Sequence, residues 1–209
     1  MSVTKPKISE KTFTKVAQQA KLTGSYITHM ATAGVLAAVA LLTNSVPILI
    51  GSMVIAPALP PLGLVSLAIV TRKPRMALKG LITALVGFTI AMIFAMLTTW
   101  MLNITRVIPP ETNLLGKELL AERVRPGWYS AIAAIAAGIS GAIALIEQKT
   151  DTLVGVVAAL ALVPAIAAAG IAFLSKNPTM GFGGLFLLAI NIGFIVVSGV
   201  LTVVIMQSK

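Results

Sequence analysis

Residues 51–63 read GSMVIAPALPPLG, with three prolines inside an otherwise apolar stretch. Because proline has no backbone N–H, Pro57, Pro60 and Pro61 leave the carbonyls one turn earlier in a helix without partners. Proline also disfavours the α conformation in the residue before it. In hydrocarbon an unpaired carbonyl is so costly that such a break persists only where protein or water covers it. The stretch therefore predicts a broken helix, and the break is the first place to look for a permeation path or a binding site.

The composition of the whole chain is that of a membrane protein. Of its 209 residues 57% are hydrophobic and 11% are charged, whereas soluble domains carry about 25% charged residues. Six apolar segments are long enough to cross a hydrocarbon layer about 30 Å thick at about 1.5 Å per residue. Because five such segments follow the first, a secreted soluble protein with a signal peptide is excluded. We therefore predict an all-α polytopic membrane protein with six transmembrane helices, at Ser25–Thr43, Ile48–Val70, Met76–Leu102, Trp128–Ile146, Thr152–Leu174 and Met180–Met206.

The basic residues are distributed unequally over the two sides of the predicted membrane. The net charge is +10, which by itself is compatible with a nucleic-acid partner. Their positions follow the positive-inside pattern instead, which predicts a cell-membrane protein with both termini cytoplasmic and no nucleic-acid partner. With that orientation the cytoplasmic side holds Lys5, Lys7, Lys11, Lys15, Lys21, Arg72, Lys73, Arg75, Lys79, Lys149 and Lys209.

The sequence overlays itself without gaps after a shift of 104 residues. The shift places Pro60 on Pro164 and the basic turn 71–74 on residues 175–178. Each half contains three predicted spans, and because three is odd, the second half must cross the membrane in the opposite direction. This is the inverted repeat of many transporters, whose broken helices meet near the midplane. The second half retains only one of the three prolines, so we expect a true break in the second helix and a kink in the fifth.

The repeat divides the chain into four parts. Residues 25–102 and 128–209 are the two three-helix repeats. Residues 1–24 form either a cytoplasmic basic amphipathic helix lying on the anionic inner leaflet or a disordered tail. Residues 103–127 form an extracellular amphipathic loop with a short helix.

Two runs of sequence resemble a known family. The run Ser45–Gly63, SVPILIGSMVIAPALPPLG, resembles the signature of an uncharacterised hydrophobic domain of prokaryotic integral membrane proteins, domain of unknown function 389. The segment Val154–Gly170, which ends LVPAIAAAG, is similar to that family's second hydrophobic motif. The resemblance covers the chain from about Tyr26 onward and implies a polytopic membrane fold. It implies no activity and supplies no catalytic or ligand residues.

Uncharged polar residues and the interrupted backbone supply the candidate ligands. Ser52 precedes the break, and Ser66 follows it. Asn191 lies near the middle of the sixth helix, where its amide either contacts a ligand or joins two helices. The candidates for ligand binding or pore lining are Ser52, Ala56, Pro57, Pro60, Pro61, Gly63, Ser66, Pro164 and Asn191.

The titratable residues are weaker candidates. His29, near the cytoplasmic start of the first helix, either relays protons or lies in the headgroup layer. Glu147 and Asp151 either bind a cation or belong to a solvated turn. No ionisable residue lies in the middle of a predicted span, and no hydrolase or nucleotide motif is present, so we expect no enzyme. The chain has no cysteine, and we expect neither a metal nor a cofactor.

Small residues form faces for close helix packing. Such faces bring helices together in lipid, where no hydrophobic force acts between them. Two faces on only six spans predict a homo-oligomer in the lipid bilayer, for which three subunits is a guess. The faces comprise Gly80, Ala84, Gly87, Ala91 and Ala95 on the third helix, and Ala131, Ala134, Gly138 and Ala142 on the fourth.

These features favour a transporter or channel for a small solute, with its site at the broken helix 51–63. Backbone carbonyls and hydroxyl groups would be the ligands, and a polar, partly hydrated cavity should lie beside the break. The alternative is a non-transporting membrane protein that binds a lipid or small ligand as a scaffold or sensor. The absence of buried charge favours that alternative, as a dry and packed break would.

Overall fold

The computed structural model describes residues 9–108, 114–125, 127–148 and 162–208, and all the helices and turns in these ranges form an all-α fold without strands. The all-α prediction is therefore confirmed for the described residues. A single 3₁₀ turn, Leu114–Gly116, interrupts the series of α-helices. These are α1 Glu10–Gln19, α2 Gly24–Thr43, α3 Val46–Ile55, α4 Leu59–Val70, α5 Pro74–Ile104, α6 Glu118–Val124, α7 Trp128–Glu147, α8 Val163–Phe173 and α9 Met180–Ser208.

Four of these helices, α2, α5, α7 and α9, are each long and apolar enough to cross a membrane. The pair α3 and α4 meets the same criterion as one span that is bent by 51°. The chain is therefore a multi-pass membrane protein with four or five candidate spans among the described residues. The predicted fifth span is described only from residue 162, where α8 is a shorter apolar helix of 11 residues.

The predicted break occupies residues 56–58, between α3 and α4. Ala56 is extended, with φ −72° and ψ 117°, as expected for the residue before Pro57. Pro60 and Pro61 do not contribute to the break, which corrects their predicted role. Both lie in the first turn of α4, where a missing N–H costs nothing because those groups have no intrahelical partner.

The Ala56 carbonyl, which we expected to be unpaired, has a partner. The N–H of Ala58 donates a hydrogen bond to it at 2.9 Å. The break thus contains a tight local turn that pairs the carbonyl directly after the end of α3. This turn reduces the cost of interrupting a helix in an apolar environment.

The first helix packs against the chain itself. Ser9 caps α1 by accepting a hydrogen bond from the Lys11 N–H at 3.2 Å, so the predicted helix is confirmed over Glu10–Gln19. Its apolar stripe is not available for lipid, because α4 and α7 cover it. The placement of α1 on the inner leaflet stays a prediction. The apolar stripe belongs to one buried cluster, which comprises Phe13, Val16, Ala20, Leu64, Leu67, Ala68, Ala142, Ile146 and Val203.

The two faces of small residues are buried inside the chain. α2 packs on the face of α5 and α9 packs on the face of α7. At Gly34 the backbone of α2 approaches the backbone at Ala91 so closely that a Cβ atom would overlap it. Because helices of the same chain already cover both faces, these faces do not support a homo-oligomer. The homo-oligomer therefore stays a prediction.

Contacts within the first half recur in the second half after a shift of 104 residues. The approach of Gly34 to Ala91 recurs as that of Gly138 to Ile195, again backbone against backbone. The helix-ending residue Asn44 has its counterpart in Gln148, and both adopt the left-handed conformation, with φ 56° and 55°. A further contact, between Gly80 and Pro61, recurs in the second half as the contact between Gly184 and Ala165.

Contacts between the halves also occur in pairs. The Leu119 N–H donates to Oδ1 of Asn44 at 3.0 Å, and Nζ of Lys15 donates to Oε1 of Gln148 at 3.3 Å. Under the shift of 104 residues Lys15 corresponds to Leu119, and Asn44 corresponds to Gln148. The two bonds are therefore the same contact with the roles of the halves exchanged, as between two units related by a two-fold axis. Two further contacts follow the same rule: Ser66 with Val196, and Gly170 with Met92.

Candidate functional site

An open pocket lies where the end of α3 meets the connection between α1 and α2. We call it the break pocket; its volume is ≈ 350 Å³. Ala56 and Pro57 belong to the break itself and form one wall with the end of α3. The opposite wall is polar and comes from a part of the chain that precedes the broken span. The lining residues are Gln19, Thr23, Ser25, Tyr26, His29, Val54, Ile55, Ala56 and Pro57.

The polar wall is held in place by the start of α2. Thr23 is extended and caps the helix, because its hydroxyl accepts a hydrogen bond from the Tyr26 N–H at 3.1 Å. The buried Tyr26 hydroxyl donates to the carbonyl of Thr83 at 3.1 Å and so fastens α2 to α5. Gly87 leaves room for the tyrosine ring, since a Cβ atom there would overlap it.

The hydrogen bonds of His29 indicate which nitrogen of its neutral ring carries the proton. Its Nδ1 lies 2.6 Å from the carbonyl oxygen of Ser25, one turn earlier in α2. A carbonyl only accepts, so Nδ1 carries the proton in this bond and, in the neutral ring, Nε2 is left as an acceptor. The Ser25 hydroxyl lies 3.2 Å from the same Nδ1. His29 therefore contributes an acceptor at the edge of the break pocket.

Among the residues that the structure describes, the lining of the break pocket contains no Asp, Glu, Lys or Arg, so dipoles supply its electrostatics. The N-terminal end of α2 carries the positive end of a helix dipole, and the C-terminal end of α3 carries a negative one. The last carbonyls of a helix lack intrahelical partners and accept from other donors. Hydroxyl and amide groups of Thr23, Ser25 and Gln19 add donors and acceptors. The pocket is therefore suited to a small polar solute without net charge.

The comparison with known families agrees with the resemblance in the sequence. A family described as a domain of unknown function, DUF389, matches residues 53–197. The chain belongs to this family. The DUF389 match begins in the last turn of α3 and includes the break, whereas the polar wall of the break pocket precedes the matched residues.

One relative of this DUF389 chain is an uncharacterised protein of Methanocaldococcus jannaschii. The two are 30% identical over 148 residues, which cover 71% of this chain and 43% of the archaeal protein. The chain thus spans less than half the length of that relative. No solved structure matches the chain.

Two of the predicted candidates, Ala56 and Pro57, line the break pocket of the DUF389 chain, and Ser52 does not. Ser52 has no solvent exposure, and its hydroxyl donates to the carbonyl of Leu49 at 2.7 Å. Such a bond to the preceding turn satisfies the hydroxyl inside its own helix. Ser52 is therefore part of the packed interior beside the pocket.

Candidates on α4 lie on the other side of the break, in a packed region. Gly63 and Ser66 line a narrow crevice between α4, α7 and α9, with a volume of ≈ 10 Å³. Such a volume holds about one water molecule at most. The Ser66 hydroxyl donates to the carbonyl of Val196 at 3.3 Å. Pro61 packs against Gly80, and Pro60 is half-buried.

Pro164 and Asn191 are buried in the second half. Pro164 lies in the first turn of α8, as its counterpart Pro60 lies in the first turn of α4. Asn191 has no solvent exposure. Its Nδ2 donates to Oγ of Ser130 at 2.9 Å, and Oγ lies 3.1 Å from its Oδ1. These bonds join α7 to α9, which corresponds to the packing role that we considered for this residue.

We expect Asn191→Leu to weaken the packing of α7 on α9. Interhelical hydrogen bonds in membrane proteins contribute about 0.6–2 kcal/mol, so the free energy of unfolding should fall by about that amount. The measurement is reversible unfolding in mixed micelles, with Ser130→Ala and the double variant completing a cycle. A cycle in which the two losses simply add would show that these side chains do not stabilise each other.

The sequence analysis did not identify the polar wall of the break pocket. Thr23 and Ser25 follow a predicted amphipathic helix, and His29 was considered only by itself. The available signal was the capping pattern at Thr23, which fixes where α2 begins. The pairing of this start with the end of α3 depends on long-range packing, which no local pattern indicates. Asp151, the other predicted polar candidate beside Glu147, lies outside the described residues.

Proposed function

We propose that this DUF389 protein moves a small polar solute without net charge across the cell membrane, with the break pocket as its entry and binding site. The observation that carries the proposal is an open, uncharged polar pocket beside the interruption of a span. Such interruptions expose backbone groups at depth and form the binding sites of many transporters. In this assignment Ala56 and Pro57 contact the solute, with Ser25 and His29 opposite them.

The transport proposal includes six spans arranged as two inverted three-helix repeats. Its support is that contacts recur after a shift of 104 residues, both within the halves and between them. The end of α7 lies beside α1, through Gln148 and Lys15, and the end of α2 lies beside α6, through Asn44 and Leu119. Because α1 leads into α2 and α6 leads into α7, these two bonds favour opposite directions for α2 and α7.

The orientation in the membrane follows from the basic residues. We propose that α1 and both termini are cytoplasmic, because the excess of Lys and Arg lies on the side of α1 and the turn 71–74. The break pocket, beside the start of α2, then faces the cytoplasm. The connection that contains α6 then faces the outside.

A second candidate function is supported by the crevice beyond the break. At ≈ 10 Å³ it is too narrow for a solute, and among the described residues none lines both this crevice and the break pocket. A transporter would have to open a path beyond the break pocket during its cycle. A non-transporting sensor or scaffold would bind its ligand in the break pocket and need no such path.

We expect a bulky thiol adduct at Ser25→Cys to abolish solute flux. The chain has no cysteine, so the introduced thiol is the only one that a methanethiosulfonate reagent modifies. The assay is uptake of urea, glycerol and glycine into proteoliposomes, compared with protein-free vesicles. Thr14→Cys is the matched control, because this exposed residue of α1 does not line the break pocket.

Three outcomes separate the candidates. Flux that is lost on modification at residue 25 but retained at residue 14 supports transport through the break pocket. Flux that survives both modifications contradicts the assigned site. If the wild-type chain moves none of the three solutes but one of them raises its melting temperature, the binding function replaces transport.

A further inference from the structure

The shift of 104 residues relates the break pocket to a second pocket at the start of α7. We call this the arginine pocket; its volume is ≈ 240 Å³. Its lining residues are Glu122, Arg123, Arg125, Gly127, Tyr129, Ser130, Ala133 and Leu187. Five of them are counterparts of residues that line the break pocket: Gln19 with Arg123, Thr23 with Gly127, Ser25 with Tyr129, Tyr26 with Ser130, and His29 with Ala133.

The two pockets are equivalent in position but opposite in chemistry. Within the described part of the chain, no charged side chain lines the break pocket, whereas two arginines and one glutamate line the arginine pocket. Arg123 stands where the first half has the neutral Gln19. The net charge of the described side chains that line the second pocket is positive, and at this position one guanidinium group replaces a shorter amide.

The guanidinium of Arg123 has a donor without an acceptor. Its Nε is buried and makes no hydrogen bond to any of the described residues. A buried donor that lacks a partner costs about 1–3 kcal/mol, and more when the group is charged. Arg123 also lines the arginine pocket, and guanidinium groups bind carboxylate and phosphate groups through two parallel hydrogen bonds. An anion in this pocket would therefore offer acceptors to the guanidinium group.

The start of α7 offers further donors to the same pocket. Gly127 occupies the capping position and has no side chain that could accept from the first turn. Its counterpart Thr23 caps α2 with its hydroxyl. In the first turn of α7 the Ser130 N–H donates to the carbonyl of Gly127 at 3.1 Å, and no side chain of the described residues caps the turn. The positive end of the α7 dipole therefore lies beside Arg123 and Arg125 without a capping side chain.

We propose that the arginine pocket binds an oxyanion of the phosphate class, held by Arg123, Arg125 and the first turn of α7. The phosphate belongs either to a free anion or to a lipid headgroup. Trp128 and Tyr129 are 84% and 91% exposed beside the pocket, and aromatic residues of this kind lie at the level of the headgroups. The proposal requires no transport, so it stands or falls separately from the solute assignment.

The test uses Trp128 as a reporter of binding in the full chain. The chain has two tryptophans, and Trp100→Phe leaves Trp128 as the only one. Purified protein in a neutral detergent is titrated with sodium phosphate at constant ionic strength, and sodium chloride serves as the reference anion. We expect a saturable change in Trp128 fluorescence with phosphate and none with chloride.

Variants then assign the response to the pocket. Arg123→Gln and Arg125→Gln should each weaken phosphate binding about tenfold or more, because each removes a charge-assisted hydrogen bond. Glu122→Gln should strengthen it by removing a like charge. Gly127→Thr should weaken it without changing any charge, because the hydroxyl then caps α7 as Thr23 caps α2. Arg106→Gln is the matched control and should bind phosphate as the parent does, since Arg106 is exposed and outside the pocket.

A comparison of lipids identifies the source of the phosphate. In nanodiscs, phosphatidylglycerol added to phosphatidylcholine should shift Trp128 fluorescence and suppress the response to free phosphate if the ligand is a lipid headgroup. A response to free phosphate that persists in both lipid mixtures identifies a soluble anion. No saturable response in detergent or nanodiscs, or one that Arg123→Gln and Arg125→Gln leave unchanged, overturns the proposal.

Discussion

Gly34→Ala and Gly138→Ala will each strongly destabilise the protein. A Cβ atom at Gly34 would lie 2.8 Å from the Cα of Ala91, and one at Gly138 would lie 2.9 Å from the Cα of Ile195. Because the obstacle is backbone in a neighbouring helix, no side-chain rotation relieves it and the helix pair must separate. Overpacking of this kind costs about 1–3 kcal/mol, which we expect to measure as a loss of unfolding free energy in mixed micelles.

Two other glycines provide matched controls for these substitutions. A Cβ atom at Gly51 or Gly193 would meet nothing within 4 Å, and both residues lie inside helices. Alanine there should leave stability unchanged or raise it by up to about 1 kcal/mol, because it favours the helix. Equal behaviour of all four variants would contradict the close approach of the helices at Gly34 and Gly138.

The sequence was sufficient to predict the features that depend on local chemistry. Proline chemistry located the break near Pro57, and the spacing of small residues identified the faces on which α2 and α9 pack. Of the two alternatives for residues 1–24, the helix is the one observed, over Glu10–Gln19. In each case the cause lies within a few residues of the effect, so no knowledge of the tertiary structure was needed.

The features that the sequence did not predict depend on position in a helix or on distant partners. Pro60 has the same chemistry as Pro57, but it lies in the first turn of α4, where a missing N–H is tolerated. The apolar stripe of α1 is suitable for lipid or for protein, and only the packing of α4 and α7 decides between them. The break pocket likewise depends on the approach of α2 to the end of α3.

The two halves also differ in ways that the repeat does not predict. The break pocket and the arginine pocket occupy equivalent positions, yet Gln19 and Arg123 give them different charges. The close approach of neighbouring helices leaves no room for a side chain at Gly34 or Gly138, whereas the lining of an open pocket carries no such constraint. The fold is therefore repeated more faithfully than the chemistry of its pockets.

Ser25→Cys and Tyr129→Cys will be labelled from opposite sides of the membrane. These residues occupy equivalent positions in the two pockets. The inverted repeat that we propose would place the two pockets on opposite faces of the membrane. A membrane-impermeant maleimide added to intact cells should therefore label the thiol at position 129 and leave the thiol at position 25 unlabelled. In inside-out vesicles the result should be reversed. Since the chain has no cysteine, each variant reports a single site.

A third thiol distinguishes membrane orientation from simple lack of access. Ile93→Cys lies on the exposed apolar surface of α5 and should remain unlabelled from either side, because a thiol in hydrocarbon stays protonated and unreactive. Labelling of positions 25 and 129 from the same side would contradict the proposal that the two halves are inverted. The break pocket and the arginine pocket would then be neighbours on one face, and a path between opposite faces would lose its structural basis. The phosphate site would be unaffected, because it depends only on Arg123, Arg125 and the start of α7.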